Sequence, residues 1–180
     1  MKAPVTYNKR RDNQEWFTPL DVIAAVHDVL GQIDLDPASC SVANETVRAE
    51  KFFSKENSGL DLKWFGSVYL NPPYSRGLIK KFIDKFIAEY DAEHVQSAIV
   101  LVNAATDSKW FKSLAARCTG AIFTLGRIRF MQADGTPAQS TPTCGQCFFY
   151  FGDKAEKFFS TFAKFGYAVK FPQKKIKAAK

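Results

Sequence analysis

Apolar positions recur at two periods along the chain, and the alternation between those periods outlines a fold. Over residues 78–87, Leu78, Ile79, Phe82, Ile83, Phe86 and Ile87 fall on one helical face, with Lys80, Lys81, Asp84 and Lys85 opposite. That is the spacing of a helix with one buried stripe, and it predicts a helix over 76–90. Residues 16–32, WFTPLDVIAAVHDVLGQ, carry a second such face in Val22, Ile23, Val26, Val29 and Leu30. Thr18 is placed to cap this helix, Pro19 suits its first position and Gly31 ends it. Further helices are predicted over 41–53, over 107–118 with Asp107 or Ser108 as cap, and over 154–166.

Short apolar runs lie between these helices. SAIVLV (97–102) shows no alternation, as expected of a central strand covered on both faces. IDLD (33–36), SVYL (67–70), GAIFTL (120–125), RIRFM (127–131), CFFYF (147–151) and YAVKF (167–171) are the other predicted strands. Residues 55–66 and 132–146 are rich in turn formers and read as loops. Strands alternating with helices predict an α/β fold. Its sheet is mostly parallel with helices on both faces, and the strand-rich last third adds an antiparallel hairpin at one edge. One domain over 1–180 is expected, with disorder in 1–12 and 173–180. Ligands of such sheets bind beyond the carboxyl ends of the strands. IDLD-PAS, VYL-NPPY and LV-NAATD are three strand ends with polar or stiff continuations, which would line one crevice.

Composition changes this picture little. At 180 residues, 46% of them hydrophobic, the chain can bury one core. No apolar run approaches the roughly 20 residues of a membrane span, and the N-terminus lacks the apolar segment of a secretory signal; a cytoplasmic protein without membrane contact is expected. Cys144 and Cys147 form a C-x-x-C without a second ligand pair, so reduced structural cysteines and no metal are expected. Charge matters more. The formal net charge is +7, which suits a nucleic-acid partner as well as it suits a soluble protein with basic tails. Arg127 and Arg129 alternate in GRIRF and are candidate contacts to DNA phosphates or base edges. Residues 132–146 read either as a target-recognition loop or as an insertion.

The most specific chemistry lies in LNPPYS (70–75). Two prolines fix the backbone at a strand end. They hold two acceptors, the Asn71 side-chain carbonyl and the Pro72 main-chain carbonyl, where both protons of one amino group can reach them. Such acceptors free the lone pair of an aromatic amine and stabilise positive charge developing on it. Pro73 stiffens the turn, and Tyr74 offers a flat face on which a base can stack.

With its neighbours this motif resembles the short phage-type, Dam-like DNA N-6-adenine methyltransferases. The resemblance rests on W-F-T-P (Trp16 to Pro19), D-L-D-P-A (Asp34 to Ala38), Gly59-Leu60, NPPYS (Asn71 to Ser75) and T-D-S-K-W-F (Thr106 to Phe111), in that order. It implies a Rossmann-like methyltransferase fold in trimmed form, S-adenosylmethionine as cofactor and double-stranded DNA as partner. Asn71, Pro72, Pro73 and Tyr74 would hold the target adenine. Asp36, Pro37 and Ala38 would form the cofactor turn, with the Asp36 carboxylate near the cofactor's ammonium. Thr18 and Pro19 would contact the cofactor, Trp16 and Phe17 would pack on it, and Ser75 and Arg76 would face DNA. Asp107 is either the cap of its helix or a site residue.

The chain also departs from the pattern. DPASCSVAN has no glycine, and Ala105 stands where an arginine often precedes the TD pair. About 35 residues separate Asp36 from Asn71, too few for two further strands, so Glu45, Glu50 and Asp61 are the candidates for the cofactor ribose. NPPY also serves enzymes that methylate RNA bases or a protein glutamine amide, and a DNA-binding relic without catalysis is a third reading. The early FTP and the basic charge favour DNA.

Overall fold

From Trp16 onward the chain alternates strands and helices in a computed structural model that describes residues 16–75, 77–138 and 140–171. The order is α1 (Leu20–Leu30), β1 (Leu35–Asp36), α2 (Ser41–Val47), β2 (Lys51–Phe52), β3 (Gly66–Leu70), α3 (Leu78–Asp91) and β4 (Val95–Asn103). Then come α4 (Lys109–Ala115), β5 (Gly120–Thr124), β6 (Gln146–Phe151), α5 (Ala155–Phe162), a 3-10 turn over Ala163–Phe165 and β7 (Gly166–Lys170). The strands form one seven-stranded sheet in the order β2-β1-β3-β4-β6-β5-β7. β2, β1, β3 and β4 pair in parallel, whereas β6 runs antiparallel between β4 and β5, and β7 runs antiparallel along β5. This is the α/β architecture read from the pattern, and it is consistent with the Rossmann-like fold that the resemblance implies. The expected antiparallel part comprises the three strands β5, β6 and β7.

Side-chain alternation along the central strands divides the core between the two faces. Cys147, Phe149 and Phe151 of β6 pack with Phe82, Ile83 and Phe86 of α3 and Phe111 and Leu114 of α4. Phe148 and Tyr150 point the other way, onto Val22, Val26 and Val29 of α1 and Phe158 and Phe162 of α5. Both faces of β4 are buried likewise, which is why SAIVLV shows no polar alternation.

Three expectations change and one choice is settled. The helix over 41–53 ends at Val47, because Arg48 turns left-handed and the Asn44 side chain bonds both the N–H and the carbonyl of Ala49. Lys51 and Phe52 then form β2 along the open edge of β1. RIRFM is not a strand: both neighbours of β6 are already in place, and of this run only Met131 makes bridges, to Phe17 and to Pro137. Thr18 does not cap α1; the cap position is Pro19, with no side-chain cap bond, and the Thr18 hydroxyl turns inward. At α4 the choice falls on Ser108, whose hydroxyl accepts from the Phe111 N–H. The predicted tails lie outside the described residues.

The chain leaves β1 toward β2 on one side and returns to β3 on the other. This reversal opens a crevice at the carboxyl ends of β1 and β3, where ligands of doubly wound sheets bind. Asp36 ends β1 and Asn71 follows β3. The loop carrying Gly59 folds down over the first of these ends. A Cβ on Gly59 would stand 2.2 Å from the Pro37 carbonyl oxygen, and the Gly59 carbonyl accepts from the Trp64 indole at 2.6 Å. Gly59 is glycine because the backbone of the Asp-Pro-Ala turn occupies the space of a side chain.

Candidate active site

Tyr69, Asn71 and Asp36 all lie on the α1 face of the sheet. Leu35, Val68 and Leu70 belong to the opposite core, so their neighbours along the strands point toward α1. Thr18 reaches the same point from the segment preceding α1. Only 6% exposed, it places its hydroxyl 2.7 Å from the Tyr69 hydroxyl and accepts from the Asn71 side-chain nitrogen at 3.3 Å. The other half of the Asn71 amide, Oδ1, is buried and has no hydrogen-bond partner. An unpaired buried acceptor costs roughly 1–3 kcal/mol, and such an atom at a strand-end crevice points to a ligand that donates a proton to it.

Asp36 is 4% exposed. Burial pushes its carboxyl up to about 6, against the opposing hydrogen bond from the Ala38 N–H at 3.1 Å. Among the described residues no Lys, Arg or His forms an ion pair with it. The buried Ser39 hydroxyl of the same turn faces this carboxylate and also opposes the rise, although no fully formed hydrogen bond joins them. A buried carboxylate without a countercharge suits a cationic ligand group.

Pro72 is buried and Pro73 half-buried, so the turn after Asn71 is packed as well as stiff. Tyr74 is 37% exposed, and its hydroxyl donates to the Leu101 carbonyl of β4 at 3.4 Å. Desolvation of that end raises its phenol pKa. The ring is thereby tethered across the ends of β3 and β4 while part of it faces solvent. Ser75 is exposed, and Arg76 lies outside the described residues.

A second wall comes from the segment after β5. Phe17 and Met131 exchange two backbone hydrogen bonds, at 3.0 and 2.8 Å, and the Trp16 ring packs on Phe130 with centroids 5.3 Å apart. One face of Trp16 is therefore engaged by protein. Arg127 and Arg129 are exposed on either side of Ile128, whose N–H is held at 2.8 Å by the buried Gln146 side chain. Gln146 also donates to Asn103 Oδ1 at 3.0 Å and to the Cys144 carbonyl at 2.8 Å. It thus ties the arginine segment to the end of β4. Past Met131 the chain forms a small hairpin closed by Gln132–Thr136 and Phe130–Ala138 backbone bonds, with Gly135 at φ 77° in its turn.

One group in this region was not legible as a site residue. Tyr69 reads as one more apolar strand position, although a buried phenol requires a partner. Glu56 follows the carboxyl end of β2 and bonds the Ser54 hydroxyl. Of the three acidic candidates, Glu50 precedes β2 and binds the Gln32 side chain at 2.6 Å, whereas Glu45 and Asp61 are exposed. Asp107 is exposed and yields the cap role to Ser108. All four cysteines are free thiols, and burial pushes Cys118 up to about 12. Among the described residues there is no group of three or more His, Cys, Asp and Glu able to hold a metal ion, and no helix long and apolar enough to cross a membrane.

Charge is distributed unevenly. The described residues carry sixteen Lys and Arg and sixteen Asp and Glu, so they are neutral as a set. The net +7 comes from +2 in residues 1–15, +1 at Arg76 and +4 in residues 172–180.

Comparison with known proteins adds two findings. A family model described as DNA N-6-adenine-methyltransferase (Dam) matches residues 5–167. A DNA N-6-adenine-methyltransferase of Escherichia phage T1 is 38% identical over 99 residues, which is 53% of this chain and 38% of the phage protein. The matched stretch is thus well under two thirds of that relative's length.

The raised Asp36 pKa sets a test of the site's electrostatics. The folded state holds this proton more tightly than an unfolded chain does, so Asp36 favours folding below about pH 4. That contribution is lost as the pH rises through about 6. Asp36→Asn is expected to stabilise the ligand-free protein at pH 7.5 by up to about 3 kcal/mol, and the gain should vanish near pH 4. Urea unfolding at both pH values measures it; an Asn variant no more stable than wild type at pH 7.5 would show that the carboxylate is compensated.

Proposed function

The chain belongs to the DNA N-6-adenine-methyltransferase (Dam) family, and from that premise we propose that it methylates N-6 of a specific adenine in double-stranded DNA, using S-adenosylmethionine. The observation that carries this reading is the Asn71 amide. Its nitrogen is engaged by Thr18 and its oxygen is buried and unpaired, at the start of a proline-stiffened turn. An amino group is the ligand that this acceptor and the adjacent Pro72 carbonyl fit.

The cofactor's chemistry fits the residues present. Asp36, buried without a countercharge, suits its ammonium, and an ammonium there would draw the Asp36 pKa back down. The Ser39 hydroxyl and the Asp-Pro-Ala turn lie beside it. Ser54 and Glu56, just past the carboxyl end of β2, would take the ribose hydroxyls, by analogy with the acidic residue about 20 positions along in dinucleotide folds. When bound, S-adenosylmethionine supplies an electrophilic methyl group on a sulfonium that departs as a neutral thioether.

The remaining work belongs to the chain. N-6 cannot align with a methyl donor inside a duplex, so the adenine leaves the stack. Tyr74 stacks on the extruded base. Asn71 Oδ1 and the Pro72 carbonyl accept the two amine protons, turn the nitrogen lone pair out of conjugation, and hold those protons as positive charge develops on nitrogen. One proton then leaves to water. Rigidity matters because a misplaced acceptor no longer aligns the lone pair. Arg127 and Arg129 meet phosphates, and the basic residues outside the described body add attraction for DNA.

Two outcomes test this reading. Asn71→Ala should lower radiolabelled methyl transfer to DNA roughly 100-fold or more, and Tyr74→Ala about tenfold or more, with melting temperatures near wild type. Wild-type rates in both variants would exclude the assignment. Arg127→Ala with Arg129→Ala should weaken DNA binding and lower the slope of log K against log salt by about 2. S-adenosylmethionine binding, read by titration calorimetry, should be unaffected; an unchanged salt slope would take both arginines off the DNA.

A further inference from the structure

Thr18 and Tyr69 have no part in the chemistry above, yet they converge on its central group. Thr18 lies 51 residues from Tyr69 and 53 from Asn71 in sequence, and one hydroxyl contacts both. Tyr69 is fully buried, inside the core shared with α1. A buried phenol must place its proton on an acceptor, and among the described residues Thr18 Oγ1 at 2.7 Å is the one within reach. That bond occupies one lone pair of Oγ1. The other accepts from Asn71 Nδ2 at 3.3 Å. An asparagine amide whose nitrogen is committed in this way has its oxygen turned elsewhere, and Oδ1 is the atom left buried and unpaired.

We propose that Tyr69 and Thr18 are positioning residues: a two-hydroxyl relay that fixes which end of the Asn71 amide faces the substrate amine. The proposal rests on the methyl-transfer reading for its consequence, but not for its geometry. The resemblance implies a cofactor contact for Thr18; with Tyr69 as the donor, both lone pairs of the Thr18 oxygen go to the protein and its proton is what it can offer a ligand. Without the relay the amide can rotate about its side-chain bond and present an NH2 group to an amine that needs an acceptor. The relay also explains a tyrosine at this position. Phenylalanine would satisfy the core equally well, but it could not occupy the Thr18 lone pair.

The test uses Tyr69→Phe in the full chain, which keeps the ring and deletes the hydroxyl. The first readout is the Asn71 side-chain amide signal in an NMR spectrum of 15N-labelled, ligand-free protein, identified by its loss in Asn71→Ala. It should shift in Tyr69→Phe and in Thr18→Val, and return toward its wild-type position in Thr18→Ser. The second readout is methyl transfer to DNA. In Tyr69→Phe, kcat should fall about tenfold while KM for DNA and for S-adenosylmethionine stays within about twofold, and Thr18→Ser should recover turnover relative to Thr18→Val. An unmoved Asn71 signal overturns the relay whatever the activity. A moved signal with unchanged kcat overturns its role in transfer. If wild type itself transfers no methyl to DNA, the functional reading fails while the amide signal still decides the relay. Should Tyr69→Phe not fold, Thr18→Val carries both readouts.

Discussion

The site depends on one short register, that of β1 against β3. β1 is two residues long, and its pairing with β3 rests on Leu35 opposite Val68. Asp34 secures it from the preceding position. Its N–H donates to the Ser67 carbonyl at 2.9 Å, and its carboxylate accepts from the Ser67 N–H at 2.7 Å. Gly66 is left-handed at φ 66°, and a Cβ there would stand 2.2 Å from the same carboxylate. Only glycine lets Asp34 close this clamp. Because β4 holds β3 over five positions, a slip of β1 by one residue would turn Asp36 onto the opposite face, away from Tyr69 and Asn71. The placement of Asp36 beside Tyr69 and Asn71 therefore follows from a pairing that few hydrogen bonds hold.

The polar groups gathered there are a cost to folding. A carboxylate buried without a cation and the unpaired Asn71 oxygen both oppose stability. The double-sided core offsets them. Burying one phenylalanine contributes roughly 2–3 kcal/mol, and β6 alone buries three, with Phe111, Phe158 and Phe162 against it. The stiff apolar sheet holds the polar crevice in a geometry that would otherwise relax. Groups already in place when substrate arrives need no reorganisation during reaction.

What the sequence reveals follows from how local each cause is. The stripe on α3 and the unbroken apolar run of β4 come from periodicity, and both elements appear where predicted. NPPY and DLDPA sit at strand ends because prolines and acidic residues punctuate the chain there. Thr18 misleads because T-P before an apolar face is a local capping signal, whereas its actual partner is 51 residues away. RIRFM has the composition of a strand but no free edge beside β6, a fact of topology. Helix α2 stops early through one asparagine side chain that no periodicity registers. Gln146 looks like a loop residue, yet it is buried and holds three segments together. The basic charge was legible in amount and largely in place, since the surplus lies mostly at the two ends of the sequence and the described residues are neutral as a set.

The central claim is that this crevice methylates the exocyclic amine of adenine in DNA. The most direct measurement is nucleoside mass spectrometry of unmethylated duplex DNA after incubation with the full chain and S-adenosylmethionine, with RNA and protein substrates treated in parallel. The account predicts N6-methyladenine in the DNA, at a defined sequence, and no methylated product in the other two. Methyl groups recovered on cytosine, on RNA or on protein glutamine, or no product at all while S-adenosylmethionine binds, would contradict it.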